Sequence, residues 1–161
     1  MKNKSIEFKN IDNKLFSLLD GEMIEHQLKK LLKSNKITIN QLKSIFDLGV
    51  YFYNNFQFKE AEIVFSSYCI LNPNDHRGPG SLASIYLEKG KFKQALDVLN
   101  ILKTYPTNDL DETILNISLC HYKLNEHLKA ASILIVVKPE NLNEFYTERF
   151  VYLQKQLKPY L

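Results

Sequence analysis

The chain has 161 residues, with 21 Lys and Arg against 18 Asp and Glu, 45% hydrophobic and 12% aromatic residues, and only 5 Gly, 5 Pro and 2 Cys. A chain of this length buries about two thirds of its unfolded surface, so one soluble domain holds together without a structural metal, and two cysteines cannot make a disulfide framework. The shortage of Gly and Pro excludes collagen-like and low-complexity classes and argues against a turn-rich all-β fold, which leaves an all-α reading.

Residues 1–10 carry charges every few positions and no apolar run, so they predict neither a secretory signal nor an ordered element. From 12 to 37, Leu15, Leu18, Leu19, Met23, Ile24, Leu28, Leu31 and Leu32 recur at helical spacing, broken near Asp20 and Gly21. This predicts an N-terminal helical segment, bent or in two pieces, with more apolar face than one neighbour can cover. A homodimer through it is therefore expected. Residues 1–41 hold eight Lys and five acids, and the remaining 120 residues hold 13 basic and 13 acidic residues. No basic face for nucleic acid is expected there.

From residue 42 onward the chain repeats. Phe58-Lys-Glu-Ala61-Glu-Ile-Val-Phe65, Phe92-Lys-Gln-Ala95-Leu-Asp-Val-Leu99 and His127-Leu-Lys-Ala130-Ala-Ser-Ile-Leu134 superpose, with their alanines 34 and 35 residues apart. Each is preceded by a helical run: Ile45-x-x-Leu48-Gly49-x-x-Phe52, Pro79-x-x-Leu82-Ala83-x-x-Tyr86 and Ile114-x-x-Ile117-Ser118-x-x-His121. Pro73, Pro106 and Pro139 close the second helices, because proline lacks the N–H and disfavours helix in the residue before it. The small residues Gly49, Ala83 and Ser118 are placed to let paired helices approach. Spacing and residue types together are those of the tetratricopeptide (TPR) repeat.

The expected fold is an all-α TPR solenoid with three helix-turn-helix repeats, 42–75, 76–110 and 111–143. An N-terminal helical segment precedes them, and a capping helix over 142–157 runs through Phe145, Phe150, Val151, Leu153 and Leu157.

Signals for catalysis are missing. Gly78-Pro79-Gly80 lacks the spacing of a phosphate cradle and reads as the opening of the second repeat. Cys120 and His121 diverge by about 100° on a helix and do not converge on one ion. A nucleophilic cysteine would need an oriented base and oxyanion donors that nothing marks. The expectation is a non-enzyme with no cofactor and no metal. The longest uncharged apolar run, Ala130 to Val137, is far short of the roughly 20 residues of a bilayer span, so no stable membrane insertion is expected.

In a TPR stack the first helices line a concave surface. The repeat spacing assigns to it Phe46, Val50 and Tyr53, then Ser84 and Leu87, then Leu115, Leu119 and Tyr122. These side chains are mostly apolar and suit an extended apolar peptide. Phe46 and Val50 do not supply the Lys and Asn of a carboxylate clamp.

The chain also resembles the class II chaperones of bacterial type III secretion, a TPR family. The resemblance is carried by Phe58-x-x-Ala61-x-x-x-Phe65-x-x-x-Cys69-x-Leu71-x-x-x-Asp75-x-Arg77, Leu82, Gly90-x-Phe92-x-x-Ala95 and Cys120. It implies an ATP-independent, bacterial cytoplasmic chaperone that holds a hydrophobic translocator through a P-x-L-x-x-P-like segment. A chaperone for another secretion component such as the needle subunit, or a TPR scaffold in an unrelated assembly, is the alternative. Two departures stand out: no Gly-Gly-Thr turn precedes the first repeat, and Phe46 replaces a family tyrosine.

Overall fold

The computed structural model describes residues 21–34 and 37–161. The expected disorder of 1–10, and residues 12–20, 35 and 36 of the N-terminal segment, lie outside them. The described residues form eight α-helices: α1 Gly21–Ser34, α2 Ile39–Asn54, α3 Phe58–Leu71, α4 Arg77–Glu88, α5 Phe92–Leu102, α6 Leu110–Lys123, α7 His127–Leu134 and α8 Glu144–Leu157. Short 3-10 turns occupy Pro139–Asn141 and Lys158–Tyr160. The chain divides into two compact units, Met1–Gly78 and Pro79–Leu161.

In the first unit, α2 starts at a capping box. The Thr38 hydroxyl accepts from the Gln41 amide at 3.2 Å, and the Gln41 side chain accepts from the Thr38 amide at 2.9 Å. Ile45, Leu48, Gly49 and Phe52 of α2 are buried against Ala61, Val64, Phe65 and Tyr68 of α3. A Cβ on Gly49 would stand 2.6 Å from the Phe65 ring, so the close approach requires glycine there. The α1 helix packs on α3 with Ile24 and Leu28 buried, each contributing about 1.5–3 kcal/mol. Gly78 also answers to a close approach, since a Cβ there would meet Cys69 Sγ at 2.8 Å.

In the second unit, Ala83 of α4 joins Ala95, Leu99 and Leu102 of α5 and Ile117 and Cys120 of α6 in one cluster. A second cluster unites Leu115 of α6, Ala130, Ala131 and Leu134 of α7, Val137, and Leu153 and Leu157 of α8. Ser118, at the position of Gly49 and Ala83, donates its hydroxyl to the Ala130 carbonyl at 2.8 Å. The turn into α8 is pinned by Asp111, which accepts from the Lys138 amide at 2.9 Å and from the Asn141 side chain at 2.6 Å.

The last helix begins at Glu144, capped by Asn143, whose side chain accepts from the Tyr146 amide at 3.2 Å. Of the side chains expected on its contact face, Leu153 and Leu157 are buried and Phe150 is half-buried. Phe145 and Val151 are 60% and 56% exposed. The contact stripe is Tyr146, Phe150, Leu153 and Leu157, spaced at helical periodicity, and 145 and 151 fall off it.

Candidate functional site

The eight residues assigned to peptide binding divide between the two units. On α2, Phe46, Val50 and Tyr53 follow each other at steps of four and three and share one half-buried face beside the core stripe. The Phe46 ring lies 5.5 Å from Phe65 and 5.2 Å from Tyr68, and the Arg77 guanidinium sits 4.8 Å above it. Tyr53 packs edge-on to Phe58 at 5.6 Å. Part of each aromatic surface is thus spent on α3 or α4, and the rest is open.

Arg77 is held in place by the turn between α3 and α4. Its guanidinium reaches Asp75 at 2.6 Å and the Tyr68 hydroxyl at 3.2 Å, while Tyr68 donates to Asp75 at 2.6 Å and Asn72 donates to both. Hydrogen bonds from Arg77 hold the Asp75 carboxyl well below the usual carboxylate range. Burial, followed by the bond to Asp75, pushes the Tyr68 phenol up. Of these residues Asp75 and Arg77 belong to the motif that carries the resemblance, and the work of the network here is structural: it fixes the chain direction into α4 and sets the cation over Phe46.

In the second unit Ser84 and Leu87 lie half-buried on α4. The Ser84 hydroxyl donates to the Gly80 carbonyl at 3.1 Å, and Leu87 packs on the cluster around Ala83 and Leu99. On α6, Leu119 and Tyr122 flank the Leu115 cluster. Tyr122 touches Tyr152 edge-on at 6.2 Å, tilts against His127 at 5.4 Å and donates to Gln156 at 3.3 Å. Leu115 itself is corrected to a core residue. It has no exposed surface, because Leu153 and Leu157 of α8 close over its position. Position 46 is its equivalent in the first repeat, and there Arg77 of α4 does the covering. This position faces the next helix but one, a role that repeat spacing alone did not separate from the open face.

Both thiols are poor nucleophiles: burial pushes Cys69 up to about 11 and Cys120 up to about 12. The His121 imidazole is turned to Glu126 at 2.5 Å. Among the described residues no three His, Cys, Asp or Glu side chains could hold a metal ion, and no helix is long and apolar enough to cross a membrane.

These features define a helical-repeat protein of TPR type, with half-buried apolar side chains on the first helix of each hairpin. Among solved structures the fold matches that of PcrH from Pseudomonas aeruginosa, with a TM-score of 0.59 and 18% sequence identity over 76% of this chain and 96% of PcrH. No protein-family model matches the chain, and no curated protein sequence does.

Proposed function

We propose that the protein is an ATP-independent secretion chaperone that holds an extended apolar segment of a hydrophobic type III translocator before export. The observation that carries this is the fold likeness to PcrH, a type III translocator chaperone. The half-buried faces at Val50 and Tyr53, at Ser84 and Leu87, and at Leu119 and Tyr122 support it, since each offers apolar surface beside a polar rim. Each such face can take an apolar side chain of a P-x-L-x-x-P-like stretch. The chemistry asked of the protein is sequestration alone, in the cytoplasm of the producing bacterium, where a membrane-inserting client would otherwise aggregate.

The test is fluorescence anisotropy of a labelled P-x-L-x-x-P peptide with the full chain. Val50→Glu combined with Leu119→Glu should weaken binding by roughly 100-fold, because two half-buried anchors are lost and two carboxylates are desolvated. Lys59→Ala, exposed on α3, should leave binding unchanged. Equal affinity for parent and double variant, with helical circular dichroism intact, would remove the assignment.

A further inference from the structure

The second unit contains a cleft that uses none of the eight residues assigned to the client. It opens between α5 and α7 above α6, with a volume of about 840 Å³. Leu96, Ile114 and Ile133 form its apolar floor, and Leu110 and Val136, 51% and 62% exposed, bound one end. Lys93 of α5 and Lys103, which caps that helix, stand on one rim and Lys129 of α7 on the other. Of the two acids at the rim, Glu126 is engaged by His121 at 2.5 Å and Lys129 at 3.8 Å, which leaves Asp97. Among the described residues neither Lys93 nor Lys103 has an ion-pair partner.

We propose that this cleft docks an amphipathic α-helix of a partner protein whose apolar stripe is flanked by carboxylates. The helical form follows from the floor. Leu96, Ile114 and Ile133 offer no side-chain donor or acceptor, Asn100 and Ser132 are exposed and His121 is turned to Glu126, so over the floor an extended segment would leave backbone groups unpaired, whereas a helix satisfies its own. The length fits as well: α5 has 11 residues, which at 1.5 Å each make about 16 Å, or three turns of a bound helix. The acidic flanks follow from the rim, where the Lys93 and Lys103 ammonium groups lack an ion-pair partner among the described residues and a basic helix would meet three like charges.

The probe is a fluorescein-labelled synthetic helix with Leu at i, i+3, i+4 and i+7 and Glu beside the stripe, compared with a sibling carrying Lys in place of Glu. Anisotropy titrations use the full chain at low ionic strength. The Glu helix should bind roughly tenfold tighter than the Lys helix, and Lys93→Glu with Lys103→Glu should reverse the preference. Val136→Asp and Leu110→Asp, each at an exposed position, should each weaken the Glu helix about tenfold without loss of helical circular dichroism. Equal binding of the two helices, or indifference to both aspartates, overturns the proposal. It is also overturned if Val136→Asp converts an oligomer to monomer in sedimentation velocity, which would make a second copy the occupant. Displacement of the Glu helix by the P-x-L-x-x-P peptide would overturn it too, by making the cleft part of the client site.

Discussion

At the level of single residues, the three hairpins solve one packing problem with three pairs. Gly49 faces Phe65, and the same repeat positions hold Ala83 with Leu99 and Ser118 with Leu134. The smallest residue thus accompanies the largest partner. Gly49→Ala gains up to about 1 kcal/mol of helix propensity but forces a methyl against a buried ring at 2.6 Å, an overpacking that costs about 1–3 kcal/mol. The substitution should therefore destabilise the protein by about 1 kcal/mol. Phe65→Leu removes the obstruction, so the double variant should be more stable than the sum of the single effects by at least about 1 kcal/mol. Urea unfolding of the four proteins measures this coupling, and a value near zero would mean that the ring yields freely. Residue types and spacing made these positions readable as sites of close approach. They did not reveal which neighbour is the obstacle, because that depends on the rotamer of Phe65.

At the level of elements, the turns carry the information that spacing blurred. Each helix pair turns through a residue in the left-handed region, Phe56, Gly90 or Asn125, at the spacing of the repeat alanines. Gly90 and, less strongly, Asn125 announce themselves in the sequence, whereas an L residue such as Phe56 adopts that conformation at a cost of about 1–2 kcal/mol. The turn from α3 to α4 is held by Tyr68, Asp75 and Arg77, and since hydrogen bonds from Arg77 depress the Asp75 acidity in the folded state, the sign of the pH effect is fixed. A carboxyl depressed on folding stabilises above its unfolded value near 4, and that contribution is lost as pH falls below it. Asp75→Asn should cost about 1–2 kcal/mol at pH 7, at the low end because the Arg77 side chain is 56% exposed and screened. The variant should also lose less stability than the parent between about pH 4 and pH 2. Thermal melts across that range check both, and parallel acid limbs would show that Asp75 is not the responsible group. Asp75 and Arg77 were legible as part of a resemblance to a chaperone family, while their physical role was not, since the network joins side chains from two helices and the turn between them.

At the level of the whole chain, the repeat pattern predicted the fold because it is a packing rule. Leu115 shows where the rule stops: its cover comes from α8, which lies outside the repeat consensus. The N-terminal segment poses the same question of cover. In α1, Ile24 and Leu28 are already buried on α3, so that part of the segment has its partner within the chain. Leu15, Leu18 and Leu19, outside the described residues, continue the apolar spacing. We infer that they bring two copies together when no client is bound. Deleting residues 1–37 would strip α1 from α3 and expose core surface, which confounds assembly with stability. Replacing Leu15, Leu18 and Leu19 by Asp keeps α1 in place and sets three carboxylates against an apolar partner. Sedimentation equilibrium should then show a monomer where the parent is a dimer, with helical content per residue unchanged. The monomeric variant should still bind the P-x-L-x-x-P peptide, because the faces proposed for the client on α2, α4 and α6 are untouched. A parent that is monomeric at high concentration, or a triple variant that still dimerises, would place the self-association elsewhere or remove it.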